Sequence, residues 1–188
     1  MANFEVIAAV SATLRSVLAA ALTGVGAVDF LDVDHLPTNA TLTIFLFEVG
    51  EDPSARNHPR IREAPPPNMR ITKPPMALLL RYLLTPWGGE EATRQRILGK
   101  TMQVFYDKSI LSGADLQGVL NGRDDQLKLT LAPLSLEERT RVWHAIQKPY
   151  HLSVSYEVRV VELDSETAVE VTPVTRRTLD FEGLENTS

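Results

Sequence analysis

Three groups of residues have types and spacings that chemistry uses. The first is Gly88-Gly89, set between an apolar run and an amphipathic one in LLLRYLLTPWGGEEATRQRILGKTMQVFYD, residues 78–107. The run reads as a strand that breaks at Pro86 and passes the glycines into a helix. Glycines at such a junction offer backbone amides and a helix N-terminus to a phosphate. Here Glu90 and Glu91 follow, no Lys-Ser/Thr pair is present, and G-x-G-x-x-G is absent. Two carboxylates in a first helical turn suit the helix dipole and repel a phosphate. The pair therefore reads as a tight turn. The second group is Asp29, Asp32, Asp34 and His35 in DFLDVDH. Oxygen-rich clusters hold calcium or magnesium, but this one lacks the sixth-position glycine and twelfth-position glutamate of an EF-hand loop. Turn aspartates at a strand end are the simpler reading; a metal-binding enzyme built on these four residues is the alternative from another functional class. The third group is histidine. His144 and His151 are separated by Pro149 and cannot share one helix face as in H-E-x-x-H, and His58 sits in a proline-rich stretch.

Nothing assembles a nucleophile, a base and an oxyanion hole. G-x-S-x-G is missing, and with no cysteine there is no thiolate, disulfide or cysteine-held metal. The expectation is a protein that is not an enzyme, with no catalytic, cofactor-binding or metal-ligating residue and no cofactor.

The elements that would carry these residues alternate between helix and strand. Asn3 is placed to cap a first helix, with Glu5 in its first turn; Ile7, Val10, Leu14, Val17, Leu18 and Ala21 recur at helical spacing until Gly24 and Gly26 stop it. A short strand follows over 27–31. Thr41 to Val49 and Met76 to Leu84 are apolar on both faces, as central strands covered on both sides are. Between them, residues 52–75 hold seven of the twelve prolines, including Pro65-Pro66-Pro67, and form a long loop that is neither helix nor central strand. A second helix spans 90–107, with Ile97, Leu98, Met102 and Phe105 as its stripe. Asn121-Gly122 marks a turn, and Leu127, Leu129 and Leu131 alternate as a half-buried strand. Ser135 and Glu138 make a capping box for a third helix, which buries Trp143 and runs to about Gln147. Leu152, Val154, Tyr156, Val158 and Val160 alternate with Ser153, Ser155, Glu157 and Arg159, a face expected to be wet or to meet a partner. A last strand lies over 167–174, at an edge because of Pro173. With no internal repeat and no second core, the chain reads as one α/β (α+β) domain, 1–188, with a mixed, mostly antiparallel sheet, about three helices, a long proline-rich loop and an extended C-terminal tail.

The chain of 188 residues carries a net charge of −5, which speaks against a nucleic-acid partner. The apolar stretch 6–22 has no basic n-region, and Arg15 interrupts it, so it reads as neither a signal peptide nor a membrane span. Cytoplasmic synthesis without membrane insertion is the expectation. Charge is segregated: Arg56, Arg60, Arg62, Arg70 and Lys73 make the proline-rich loop basic, and Glu170, Asp180, Glu182 and Glu185 outweigh Arg176 and Arg177 toward the tail, residues 176–188. Opposite charges on two protruding segments suit contacts between copies of one chain.

Three stretches resemble a known family: YLLTPW (82–87) leading into a glutamate-rich helix, LSLEERTRVW (134–143), and PYHLSVSYEVRVV (149–161). Together with the N-terminal helix and TLTIFLFEV, they look like the tail-terminator or cap proteins of phage-tail-like contractile injection systems of the antifeeding-prophage and virulence-cassette type. The resemblance implies a tail-terminator-like fold and a ring, of six copies, that closes the inner tube away from the baseplate, contacts the last sheath layer and helps set tube length. Its implied partners are copies of itself, the inner tube protein and the sheath protein. The particle would be released, cytoplasmic or membrane-attached. An adaptor at the neck or baseplate of the same particle is the neighbouring alternative. The resemblance carries no active site; the charged loop and tail residues named above are those expected at subunit, tube or sheath interfaces. Other family members carry additional C-terminal regions, so this chain would be a minimal version.

Overall fold

The computed structural model describes residues 4–32, 34–39, 41–55, 61–63 and 69–171, and only the backbone of 61–63, 69–72, 160–161 and 168–171. Its contacts divide the chain into two compact units, one made of Met1–Asn57 and Pro75–Asp164, the other of His58–Pro74 and Ser165–Ser188.

The first unit is a mixed sheet between helices. Its strands are β1 (Ala27–Phe30), β2 (Thr41–Glu51), β5 (Met76–Trp87), β6 (Ile110–Ser112), β7 (Gln126–Leu131) and β8 (Val154–Leu163), and its helices are α1 (Val6–Ala21), α2 (Glu91–Asp107) and α3 (Leu136–Ala145). The strand order is β1-β2-β5-β8-β7-β6. Only β1 and β2 run parallel; the remaining neighbours are antiparallel. The α/β class, the three helices and the mostly antiparallel sheet are as the sequence predicts.

Strand periodicity explains why both faces of β5 are apolar. Leu78, Leu80, Tyr82 and Leu84 join Val10, Leu14 and Leu18 of α1 and Ile97 and Phe105 of α2 in the main core. Leu83 and Trp87 point the other way and pack with Trp143 of α3. Two polar contacts lock α1 in place. The hydroxyls of Ser11 and Tyr82 lie 2.9 Å apart, and burial pushes the Tyr82 phenol up to about 12. Thr13 Oγ1 donates to the Ala9 carbonyl and accepts the Gln117 amide at 2.9 Å.

The second unit has β3 (Ile61–Glu63), β4 (Met69–Thr72) and β9 (Ala168–Val171), in the order β3-β4-β9, all antiparallel. A continuous loop over 52–75 was the expectation; the structure places two strands in it. No proline lies within either strand, and Pro65-Pro66-Pro67 falls between them, so each strand keeps its amide donors.

Other differences have local causes. The first helix starts after Glu5, which makes no side-chain cap; Asn3 lies outside the described residues. Strand β5 does not break at Pro86 but continues to Trp87, with Pro86 opposite Leu42. The β8 pairing ends at Leu84–Val154, so beyond it β5 has one partner only, where a proline is tolerated. On α2 the buried face is Ile97, Leu98, Thr101, Val104 and Phe105, and Met102 turns outward. Leu131 and Leu152 are also exposed. On the face of β8 expected to be wet or to meet a partner, Ser153, Ser155 and Glu157 are buried and Arg159 is exposed. Glu157, 6% exposed, is compensated by Arg81 at 3.3 Å and Arg159 at 2.5 Å, and Arg81 reaches on to Glu48 at 2.9 Å. That ladder crosses β2, β5 and β8 at matched register, Glu48 and Glu157 each opposite Arg81.

The capping box is present as predicted. Ser135 Oγ accepts the Glu138 amide at 3.2 Å, and Glu138 Oε2 accepts the Ser135 amide at 2.8 Å. The Ser135 hydroxyl, which donates to Glu138 Oε2 at 2.7 Å, and then the Ser135 amide hold the Glu138 carboxyl below its usual range. Ser135→Ala is expected to lower stability by about 1 kcal/mol, read as a reduced denaturation midpoint at unchanged slope.

Candidate functional site

Most of the described residues that suggested chemistry are engaged in local structure. Gly88 and Gly89 both have φ +64°. A Cβ on Gly88 would stand 2.4 Å from the carbonyl carbon and oxygen of Asn39. The pair is the tight strand-to-helix turn expected, and it brings backbone against backbone. Beyond it, Glu91 is bound by Arg94, whose guanidinium holds its carboxyl below the ordinary range.

The acidic cluster is spread out. Asp29 faces Arg15 at 4.0 Å. Asp32 accepts the Asp34 amide at 2.9 Å and meets His35 Nδ1 at 3.0 Å. The Asp34 amide, followed by His35, holds the Asp32 carboxyl down. Among the described residues no group of three or more His, Asp or Glu side chains is arranged to hold a metal ion.

The histidines do not converge either. His144 lies on α3, and His58 falls outside the described residues. His151 packs against two indoles, with ring centroids 4.4 Å from Trp87 and 5.4 Å from Trp143. Trp87 Nε1 donates to Thr43 Oγ1 at 2.6 Å. Burial lowers the His151 pKa, and Arg94, itself paired with Glu91, lowers it further. A histidine depressed in the fold binds its proton more readily when unfolded. Stability is therefore full above the unfolded pKa of about 6.5 and is lost as the pH falls from there through the folded value. Thermal melts are expected to show a midpoint that drops on acidification through this window, and His151→Gln should flatten that part of the profile.

The charged segments are placed as follows. Arg62 lies on β3, Arg70 on β4 and Glu170 on β9, and Lys73 is exposed after β4. Arg70 stands opposite Glu63 on one side and Glu170 on the other. Strand β4 of the proline-rich stretch thus pairs with β9 within one chain at this register position. Arg56, Arg60, Arg176, Arg177, Asp180, Glu182 and Glu185 lie outside the described residues.

The surface feature that sequence reading missed is a groove between α2 and β7. It encloses about 520 Å³ and is lined by Met102, Phe105, Tyr106, Leu129, Leu131 and Tyr156, among others. Met102, Tyr106 and Leu131 are exposed there, Tyr106 to 85%. The signal was available in the sequence: Tyr106 falls off the apolar stripe of its helix. Exposed apolar side chains gathered in one place mark contact surfaces.

The described surface thus carries an apolar groove and several paired charges, and among the described residues no group of three or more His, Asp or Glu is arranged to hold a metal ion. Residues 7–177 match the family model described as the Pvc16 N-terminal domain. The chain belongs to that family. Its resemblance to tail-terminator and cap proteins is thereby borne out, and solved structures agree on the fold. One is the PVC sheath/tube terminator, in the extended state, of an extracellular contractile injection system. It is similar at TM-score 0.70 and 20% identity, over 97% of this chain and 65% of that one. Another is the tube-terminating cap of the anti-feeding prophage, at TM-score 0.68 and 20% identity, over 96% of this chain and 62% of that one. This Pvc16 N-terminal domain therefore spans less than two thirds of each. No curated protein matches it. Among its described residues no helix is long and apolar enough to cross a membrane.

Proposed function

We propose that this chain is the terminator of a contractile injection particle, a non-enzymatic cap whose copies form a ring on the inner tube at the end away from the baseplate. The observation that carries this reading is the family match over residues 7–177; the fold it shares with two tube terminators supports it. In this reading the ring has six copies, contacts both the last tube layer and the last sheath layer, and limits tube length. A closed ring of identical subunits needs one surface that complements a different one. The charged segments of loop and tail serve that purpose in this reading: Arg56, Arg60, Arg62, Arg70 and Lys73 on one side, and Glu170, Arg176, Arg177, Asp180, Glu182 and Glu185 on the other, dock on neighbouring subunits, tube or sheath. The whole chain, 1–188, acts as one terminator module in this role.

Electron cryomicroscopy of particles assembled with and without the protein tests the reading. Density for this fold is expected at the distal tube tip, and particles without it should have unsealed or overlong tubes. Sealed tubes of normal length in its absence would remove the proposal, and missing baseplates would assign it to an adaptor instead.

A further inference from the structure

The groove between α2 and β7 has an open strand edge along it. Strand β6 pairs with β7 only as far as Ile110–Lys128, and the Leu129 amide then donates to the Ser109 carbonyl at 2.8 Å. Among the described residues, Thr130 and Leu131 are paired with β8 alone. Beside them lie the exposed Met102, Tyr106 and Leu131, on the side of the sheet that α2 covers.

The groove continues, through Met102 and Leu131, into a second cavity of about 150 Å³ that Arg139 of α3 and Ser153 also line. Arg139 Nε and Ser153 Oγ are both buried there without a hydrogen-bond partner, and Ser153 is 1% exposed. Arg139 makes no ion pair among the described residues. A buried donor left without an acceptor is unfavourable. Two of them in one cavity, one on a cation, call for the same complement: an acceptor with negative charge, which a carboxylate supplies.

A strand added at the Thr130–Leu131 edge would send alternate side chains to opposite faces of the sheet. One face meets the apolar groove under α2, and the other meets Arg139 and Ser153 beside α3. The occupant must alternate apolar and acidic residues. Leu179-Asp180-Phe181-Glu182 in the tail of this chain has that pattern. Rising about 3.3 Å per residue when extended, residues 172–188 reach over roughly 50 Å beyond the end of β9.

We propose that the tail of one copy docks as a strand on β7 of a second copy, with Leu179 and Phe181 in the apolar groove and an acidic side chain between them on Arg139 and Ser153. This inference rests on the ring reading above, since it supplies the pair of unlike surfaces that such a ring requires.

Two full-length variants test it: Arg139→Glu in the groove, and Leu179→Ser with Phe181→Ser in the tail. A fluorescent peptide of residues 176–188 is expected to bind the tail variant. Adding Arg139→Glu should weaken that binding roughly tenfold or more, as for loss of a buried charge partner. By mass photometry the parent should self-associate and each variant alone should be monomeric. A mixture of the two variants should form one-to-one dimers and nothing larger, because one intact groove meets one intact tail. Absent or Arg139-independent peptide binding overturns the inference. So does a parent that stays monomeric, a variant that assembles like the parent, or a mixture that stays unassociated because each tail fills its own groove. Thermal melts check that both variants are folded. Imaging of particle ends judges the terminator reading separately, since tip density can persist when this groove contact fails.

Discussion

Gly88→Ala is expected to destabilise the first unit by more than about 3 kcal/mol, against a typical total of about 5–15 kcal/mol for a domain. Two effects add. An L-residue held at φ +64° costs roughly 1–2 kcal/mol. The new Cβ would also lie 2.4 Å from the Asn39 carbonyl and 2.7 Å from the Thr38 carbonyl oxygen, and these are backbone atoms with no rotamer to turn away. Either the loop 36–39 moves, which drags the start of β2, or the Trp87–Glu91 turn opens, which displaces Trp87 from Leu83 and Trp143. Gly24→Ala is the control. Gly24 has φ +80° but nothing within 4 Å of its Cβ position, so only the conformational cost of roughly 1–2 kcal/mol applies. Chemical denaturation of both variants should separate them clearly. Equal losses would mean that the contact at Asn39 contributes nothing.

The same turn shows why part of the fold was legible in sequence. Glycines followed by two glutamates repel a phosphate and favour a turn, an argument from local sterics and charge alone. Ser135 and Glu138 were equally legible, because both halves of a capping box lie within four residues. The doubly apolar runs of β2 and β5 announced two covered faces. What failed was information held by distant partners. Ser153, Ser155 and Glu157 alternate like a solvated face, yet all three are buried, the serines in a cavity that Arg139 also lines and Glu157 against Arg81 and Arg159. No local pattern distinguishes a polar residue facing water from one covered by an arginine of a neighbouring strand position. Strands β3 and β4 were hidden because proline density suppresses any strand reading, although the pairing of β3 with β4 and of β4 with β9 leaves every proline outside the ladders. The charge segregation was visible, but not that Arg70 and Glu170 share a register position within one chain. The groove was the least legible feature. Arg139 reads as an ordinary exposed helix residue, and only burial of its Nε beside Ser153 reveals an acceptor site.

Trp143→Ala is expected to cost about 3–5 kcal/mol, as for other buried aromatic truncations, and to act on one layer of the fold. Among the described residues of α3, Trp143 is the buried one. It meets Trp87 edge-on at 5.9 Å and His151 at 5.4 Å. Val142 and Ile146 add partly buried contacts. A helix spanning Leu136–Ala145 is too short to persist alone in water, even with its capping box. Without the indole it should undock from the β5–β8 face while the opposite core, centred on Leu14, Leu80 and Phe105, stays packed. Hydrogen exchange should therefore quicken at amides 138–145 and remain slow in α1; uniform quickening throughout the unit would show that the two faces unfold together. Trp143→Phe separates packing from hydrogen bonding. The indole Nε1 is buried with no partner, so phenylalanine gives up ring volume but no bond, and its loss should be a fraction of that of alanine. Undocking α3 also carries Arg139 away from Ser153. Trp143→Ala should thus abolish binding of the 176–188 peptide even under conditions where the sheet is intact, whereas Trp143→Phe should retain it.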